Sequence, residues 1–227
     1  MQLSLLRSSL DAFAEALRGG YASGLEALYE SIDPWQAAWP PTSPGALPST
    51  LEAALANDRT RAFWQGHAYL PKETLIALAE HNPEGVNLAF GRLFNTDLDL
   101  GSRYRGFTFY LDELLEELRR AKGPAAPPTH YHDDYRAPSL YCALRYPDTD
   151  AYFESDAYAR ALTYLRAPNV STAPDPERFE KTVRVVRTFM GAHEALWAAH
   201  TRRLTDSDYR EPSALLVSEY FRYLAEQ

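Results

Sequence analysis

Apolar positions recur along this chain at the spacing of helix faces. Leu3, Leu6, Leu10, Phe13, Ala14 and Leu17 follow one another at mostly three- and four-residue steps, and Gly19-Gly20 stops the run. A second short helix is expected from about Ser23 to Glu30. DPWQAAWPPTSPGALPS then carries prolines at 34, 40, 41, 44 and 48, which predicts an irregular loop over about 33–48. Trp35 and Trp39 are expected to pin that loop to the core. Helical pattern resumes from Ser49 to about Asn57, and Phe63-Trp64 forms an apolar anchor. Pro71 and Pro83 stand at first-turn positions of two short helices expected to form a hairpin, with Asn82 as an N-cap. The longest stripe is Leu100, Tyr104, Phe107, Leu111, Leu114 and Leu118, one continuous helix face. Arg119, Arg120 and Lys122 close it at the negative end of the helix dipole, and Gly123-Pro124 breaks it.

Beyond a Pro/Ala loop at 123–129, a short helix is expected over Ser139 to Tyr146, and 151–154 reads as a strand or an extended connector. Asp156 is expected to cap a helix reaching about Leu165. From Pro176, the run PERFEKTVRVVRTFMGAHEALWAAHTRRL reads as one late helix. Phe179, Val183, Val186, Met190 and Trp197 form its buried stripe, and Arg178, Lys181, Arg184 and Arg187 lie on its exposed side. A final helix is expected from Ser213 to Ala225. The fold class is therefore mainly α: a single compact multi-helix domain over 1–227, with at most minor strand content. Within it, 1–32 holds N-terminal helices, 33–48 the Pro/Trp loop and 49–227 the main helical body.

At 227 residues and 45% hydrophobic content the chain is long and apolar enough to bury a core. No apolar run approaches the roughly 18 residues of a membrane span, and no signal-peptide pattern opens the chain, so a cytoplasmic location is expected. Cys142 is the only cysteine, which leaves no intrachain disulfide and no thiolate zinc site. Within the apolar SLYCALRY it reads as a buried structural thiol. A formal net charge of -8 argues against coating nucleic acid by bulk electrostatics, so any DNA contact must be a local basic patch.

The stretch THYHDDYRAPSLYCALRYPDTDAYF concentrates the reactive side chains. His130 and His132, one residue apart, would point to one side of a strand, and Asp133 would complete a metal set; turn formation, capping and solvent contact are the plainer roles. His193 and His200 are a second pair, seven apart. The chain has no G-x-S-x-G elbow, no H-E-x-x-H helix and no G-x-x-x-x-G-K-[ST] loop, so it is not expected to be an enzyme or to bind nucleotide in the P-loop manner. Lys181, Arg184 and Arg187 read first as a solvated helix face and second as phosphate contacts. Arg136 and Arg145 among tyrosines have the composition of a stacking surface, although Arg145 at a helix end also suits the last carbonyls.

Three segments, in order, resemble the helical region ahead of the motor in McrB-type AAA+ ATPases/GTPases of modification-dependent restriction. They are AYLPKETLIALAEHNPEGVNLAFGRLFNTDLDLGSRYRGFTFYLDELLEEL, then HYHDDYRAPSLYCALRYPDTDAYF, then LTDSDYREPSALLVSEYFRYL. The resemblance spans about 60–227, with a weaker echo near Trp35. It departs at His132, where the family pattern has a glutamine-type residue, which weighs against a metal. It implies an N-terminal target-recognition module whose AAA+ motor is absent from this chain. The cofactors, GTP or ATP with Mg, would belong to that motor, with none in this chain. The implied partners are DNA, with or without a modified base, the motor module and a nuclease subunit, with no membrane. The implied recognition residues are Tyr131, Arg136, Tyr141, Arg145, Tyr146 and Tyr152. The acidic balance favours a competing expectation, a protein-binding sensor module with no DNA contact.

Overall fold

The computed structural model describes residues 1–56, 59–66, 68–171 and 173–227. Its longest element shows how the sequence sets the architecture. Helix α6 (Leu100–Lys122) is capped by Asp99, whose Oδ1 accepts the Ser102 N–H at 2.8 Å, and it ends at Gly123 with a φ of 56°. The predicted stripe from Leu100 to Leu118 is its buried face. At about 1.5 Å per residue it spans roughly 35 Å, enough to organise the domain. Helices α4 (Pro71–His81) and α5 (Pro83–Leu93) form the expected hairpin, and Asn82 Oδ1 accepts the Gly85 N–H at 2.9 Å. Helix α5 packs along α6 through two glycines. A Cβ on Gly85 would stand 2.6 Å from Leu114 Cδ2, and one on Gly106 would stand 2.6 Å from Arg92 Cγ.

The remaining helices wrap this pair: α1 (Leu3–Arg18), α2 (Tyr29–Ala38), α3 (Leu47–Ala54), α7 (Arg136–Arg145), α8 (Ser155–Tyr164), α9 (Pro176–Gly191), α10 (Glu194–Arg203) and α11 (Leu215–Ala225). Helix α1 lies on α10, α11 lies on α8, and α2 bridges α3 and α7. Among the described residues there is no strand, and one hydrophobic cluster runs through all of these helices except α10's exposed side. No helix among them is long and apolar enough to cross a membrane.

Several predicted boundaries move. The loop expected over 33–48 is mostly helical, because α2 continues through Pro34 to Ala38 and α3 begins at Leu47. An interior proline costs about 3 kcal/mol. Packing offsets it: Trp35 is stacked between Trp39, 5.4 Å away at 8°, and Tyr141, 5.7 Å away at 12°. The short helix expected over Ser23 to Glu30 is a 3-10 turn, Glu26–Leu28, leading directly into α2. The expected end of the next helix at Asn57 lies outside the described residues. Residues 151–154 form an extended connector, and α8 begins at Ser155, so Asp156 sits inside the first turn instead of capping it. The late helix divides into α9 and α10, with His193 as the new cap, its Nδ1 accepting the Leu196 N–H at 3.2 Å.

A buried polar network ties the ends of the chain together. Glu219 on α11 is fully buried. It accepts Ser23 Oγ at 2.7 Å, Tyr29 Oη at 2.9 Å and Arg203 Nη1 at 2.8 Å, with a second guanidinium bond from Arg203 Nη2. One carboxylate thus joins α2, α10, α11 and the loop after α1.

Candidate functional site

The histidine segment is a tight turn with Tyr131 and Tyr135 both at left-handed φ, 63° and 64°. The two buried imidazoles lie 5.6 Å apart and take different partners. His132 points inward: its Nε2 lies 3.2 Å from Tyr141 Oη, and burial, with the neighbouring His130, pushes its pKa down to about 3. It belongs to the core and leaves the predicted metal set. His130 Nε2 points toward two carboxylates instead, Asp112 Oδ1 at 3.1 Å and Asp133 Oδ1 at 3.5 Å. These three side chains bring potential ligand atoms within 4.8 Å of one another. Asp112, on α6, was invisible to local sequence reading, since only the folded turn brings it beside residue 130.

The hydrogen bonding of His130 argues against metal ligation. Its Nδ1 accepts the His132 backbone N–H at 3.1 Å, which leaves the proton of the neutral ring on Nε2. That proton faces the two carboxylates, where a metal would need a lone pair. The cluster is best described as a hydrogen-bonded clasp between the turn and α6.

The six recognition residues fall into two groups. Tyr141 and Tyr152 are buried, Tyr141 against Trp35 and Tyr152 edge-on to Phe63 at 6.0 Å. Neither presents a face on which a base can stack, so both are corrected to core residues. Tyr131 is half-buried and edge-on to Tyr69 at 6.0 Å, and the Arg136 guanidinium lies over that same Tyr69 ring at 4.4 Å, bound to Asp134. Arg145 and Tyr146 stand at the far end of α7, with Arg145 5.5 Å above the Tyr146 ring and the Tyr146 hydroxyl donating to the Phe94 carbonyl at 2.9 Å. The structure therefore places the other four at opposite ends of a helix whose residues 137–144, Tyr141 among them, are all buried. Tyrosine suits both core and surface, so composition did not separate the two.

A different region gathers accessible chemistry. A cleft of about 710 Å³ opens where the start of α6, the α7–α8 link, α9 and Trp197 of α10 meet. Two of the predicted phosphate contacts, Arg184 and Arg187, line it; Lys181 is exposed and lies outside it. Arg184 pairs with Glu180 at 3.2 Å, while Arg187 has no ion-pair partner among the described residues. A third arginine, Arg103, is buried in the cleft wall. Its Nε donates to the Leu93 carbonyl at 2.7 Å and its Nη2 to Asp150 at 2.8 Å and Cys142 Sγ at 3.3 Å. Burial pushes the Asp150 carboxyl up, against the pull of Arg103. Burial also pushes the Cys142 thiol well up, which leaves it a poor nucleophile. Trp197, expected in the buried stripe, is half-buried on the cleft wall, and its Nε1 donates to the Met190 carbonyl at 2.8 Å. Three arginines face two carboxylates here, leaving one positive charge in excess on an acidic chain. Arg103 escaped the sequence reading because it falls inside the apolar stripe of α6.

These features define a multi-helix domain with an amphoteric, arginine-lined cleft. No protein-family model, no curated protein and no solved structure matches the chain.

Proposed function

We propose that this chain is the N-terminal target-recognition module of a McrB-like restriction system and that it contacts DNA, with a modified base as the feature sensed, through the cleft at α9. The carrying observation is Arg187, without an ion-pair partner among the described residues, beside Arg184 and Trp197, a local cationic and aromatic surface on a body of net charge -8. The segment resemblance supports the same reading, with the nuclease subunit and an AAA+ motor using GTP or ATP with Mg as the partners. In this reading the module itself carries out no chemistry.

Binding to modified and unmodified duplexes, followed across a salt series, tests it. Affinity is expected to fall with salt and to depend on the modification. Replacing Arg184 and Arg187 together by Ala should reduce the slope of log affinity against log salt by roughly 1 to 2. Absence of duplex binding at low salt refutes the proposal.

A second reading, a protein-binding sensor module with no DNA contact, is favoured by large apolar side chains left exposed on α5 and α6. Leu88 on α5 is 61% exposed and Phe109 on α6 is 60% exposed, with Tyr110 beside it. If duplexes fail to bind, this surface becomes the place to look.

A further inference from the structure

We infer that the α9 cleft is a binding site for a terminal phosphate monoester carried on a planar base, the 5′-phosphate end of a nucleotide. The inference deepens the reading of the same cleft, and it rests on that reading for choosing a nucleotide among phosphate monoesters.

The three arginines differ in depth. Arg184 is exposed, Arg187 is half-buried and Arg103 is buried, with only 3% of its surface accessible. Arg103 uses Nε and Nη2 on protein partners, while Nη1 has no hydrogen-bond partner among the described residues. A phosphodiester running along the protein surface reaches Arg184 and Arg187 but carries one negative charge and is tied into the chain on both sides. A terminal monoester carries about -1.5 to -2 near neutral pH and projects from the end of its ligand, so it can enter toward Nη1 of Arg103.

The remaining lining is amphoteric. Glu180 and Asp150 are acceptors, which repel a bare anion but receive hydrogen bonds from ribose hydroxyls or an exocyclic amine. Trp197, fixed by its bond to Met190, offers an aromatic wall for a base. A ligand that joins an anion, hydroxyl donors and a flat ring satisfies all three. A cleft of about 710 Å³ also falls within the roughly 300–1,000 Å³ of small-molecule sites.

Calorimetric titration of the full chain with adenosine 5′-monophosphate, adenosine and inorganic phosphate tests the inference. The monophosphate is expected to bind at least about tenfold more tightly than either fragment. Arg187→Ala should weaken it about 10- to 100-fold, the range of a lost charge-assisted hydrogen bond, with the thermal midpoint little changed. Should that variant fail to fold, the wild-type affinity must still fall as salt rises. A single-stranded oligonucleotide with and without a 5′-phosphate separates the sources: a gain from its phosphate assigns strand ends, and a gain confined to the mononucleotide assigns a free ligand. Either gain supports the site. Equal binding of adenosine and its monophosphate, no monophosphate binding at millimolar concentration, or indifference to Arg187→Ala in a folded variant overturns it. Monophosphate binding without duplex binding removes only the DNA proposal. Duplex binding that ignores strand ends, with no monophosphate binding, removes only this inference.

Discussion

Replacing Arg203 by Met would strand the Glu219 carboxylate in the core. Glu219 has a fully buried side chain, and Arg203 is 17% exposed, so the pair is screened little by solvent. Removing one partner of a buried ion pair costs about 3–5 kcal/mol, because the remaining charge keeps its desolvation penalty. Ser23 and Tyr29 still donate to Glu219 in the variant, which places the expected loss near the lower end, about 3 kcal/mol. At roughly 2–4 °C per kcal/mol for a chain of this size, the thermal midpoint should drop by about 6–12 °C.

Equilibrium urea unfolding of three variants isolates the effect. Arg203→Met is compared with Glu219→Leu and with the double replacement, which removes the charge altogether. The double variant should recover part of the loss, since an apolar pair of similar volume avoids the stranded charge. The exposed pair Arg210–Asp206 is the control, and breaking it should change stability by less than about 1 kcal/mol. The reasoning fails if Arg203→Met lies within about 1 kcal/mol of wild type, or if the double variant is less stable than Arg203→Met alone.

Acid should destabilise the domain through its buried imidazoles. Burial holds both His132 and His200 at a pKa of about 3, against 6.5 for a free side chain, so below pH 6.5 the unfolded chain takes up protons that the folded one refuses. Stability is complete above pH 6.5 and falls by about 1.4 kcal/mol per pH unit for each histidine on the way down to about 3; urea unfolding at pH 7 and 5 measures the drop, and a flat profile refutes it. Trp35→Ala should cost about 3–5 kcal/mol by removing the ring between Trp39 and Tyr141, and a loss under about 1 kcal/mol would show that the stack is not a core element. A thiol reagent should label Cys142 only as fast as the domain unfolds, and rapid native labelling contradicts its burial. Zinc or manganese should leave the thermal midpoint unchanged, whereas a concentration-dependent rise would show that His130 can give up its Nε2 proton to a metal.

Helix faces were legible wherever one stripe met one core. The α6 stripe from Leu100 to Leu118 carried over without revision, and so did the Asn82 cap. What failed were positions where tertiary packing overruled local chemistry. Pro34 reads as a breaker in any local window, and the tertiary packing that accompanies α2 through it, Trp35 stacked on residues 4 and 106 positions away, is not local. The junction at Gly191 failed for the opposite reason: the apolar spacing continues across it, while His193 caps a new helix that turns away.

The candidate site follows the same division. A cluster in sequence is not a cluster in space when a helix lies between its members. Tyr131 and Arg136 face Tyr69 at one end of α7, and at the other Arg145 lies over Tyr146, which bonds Phe94. The cleft draws instead on Arg103, Asp150, Arg187 and Trp197, which lie far apart in the sequence. Arg103 interrupts an apolar stripe, which is costly unless a buried partner awaits it; Asp150, 47 residues later, is that partner. A charged residue inside an otherwise apolar helix face is thus the one local sign the cleft leaves in the sequence, and Arg103 is where a search from sequence alone should begin.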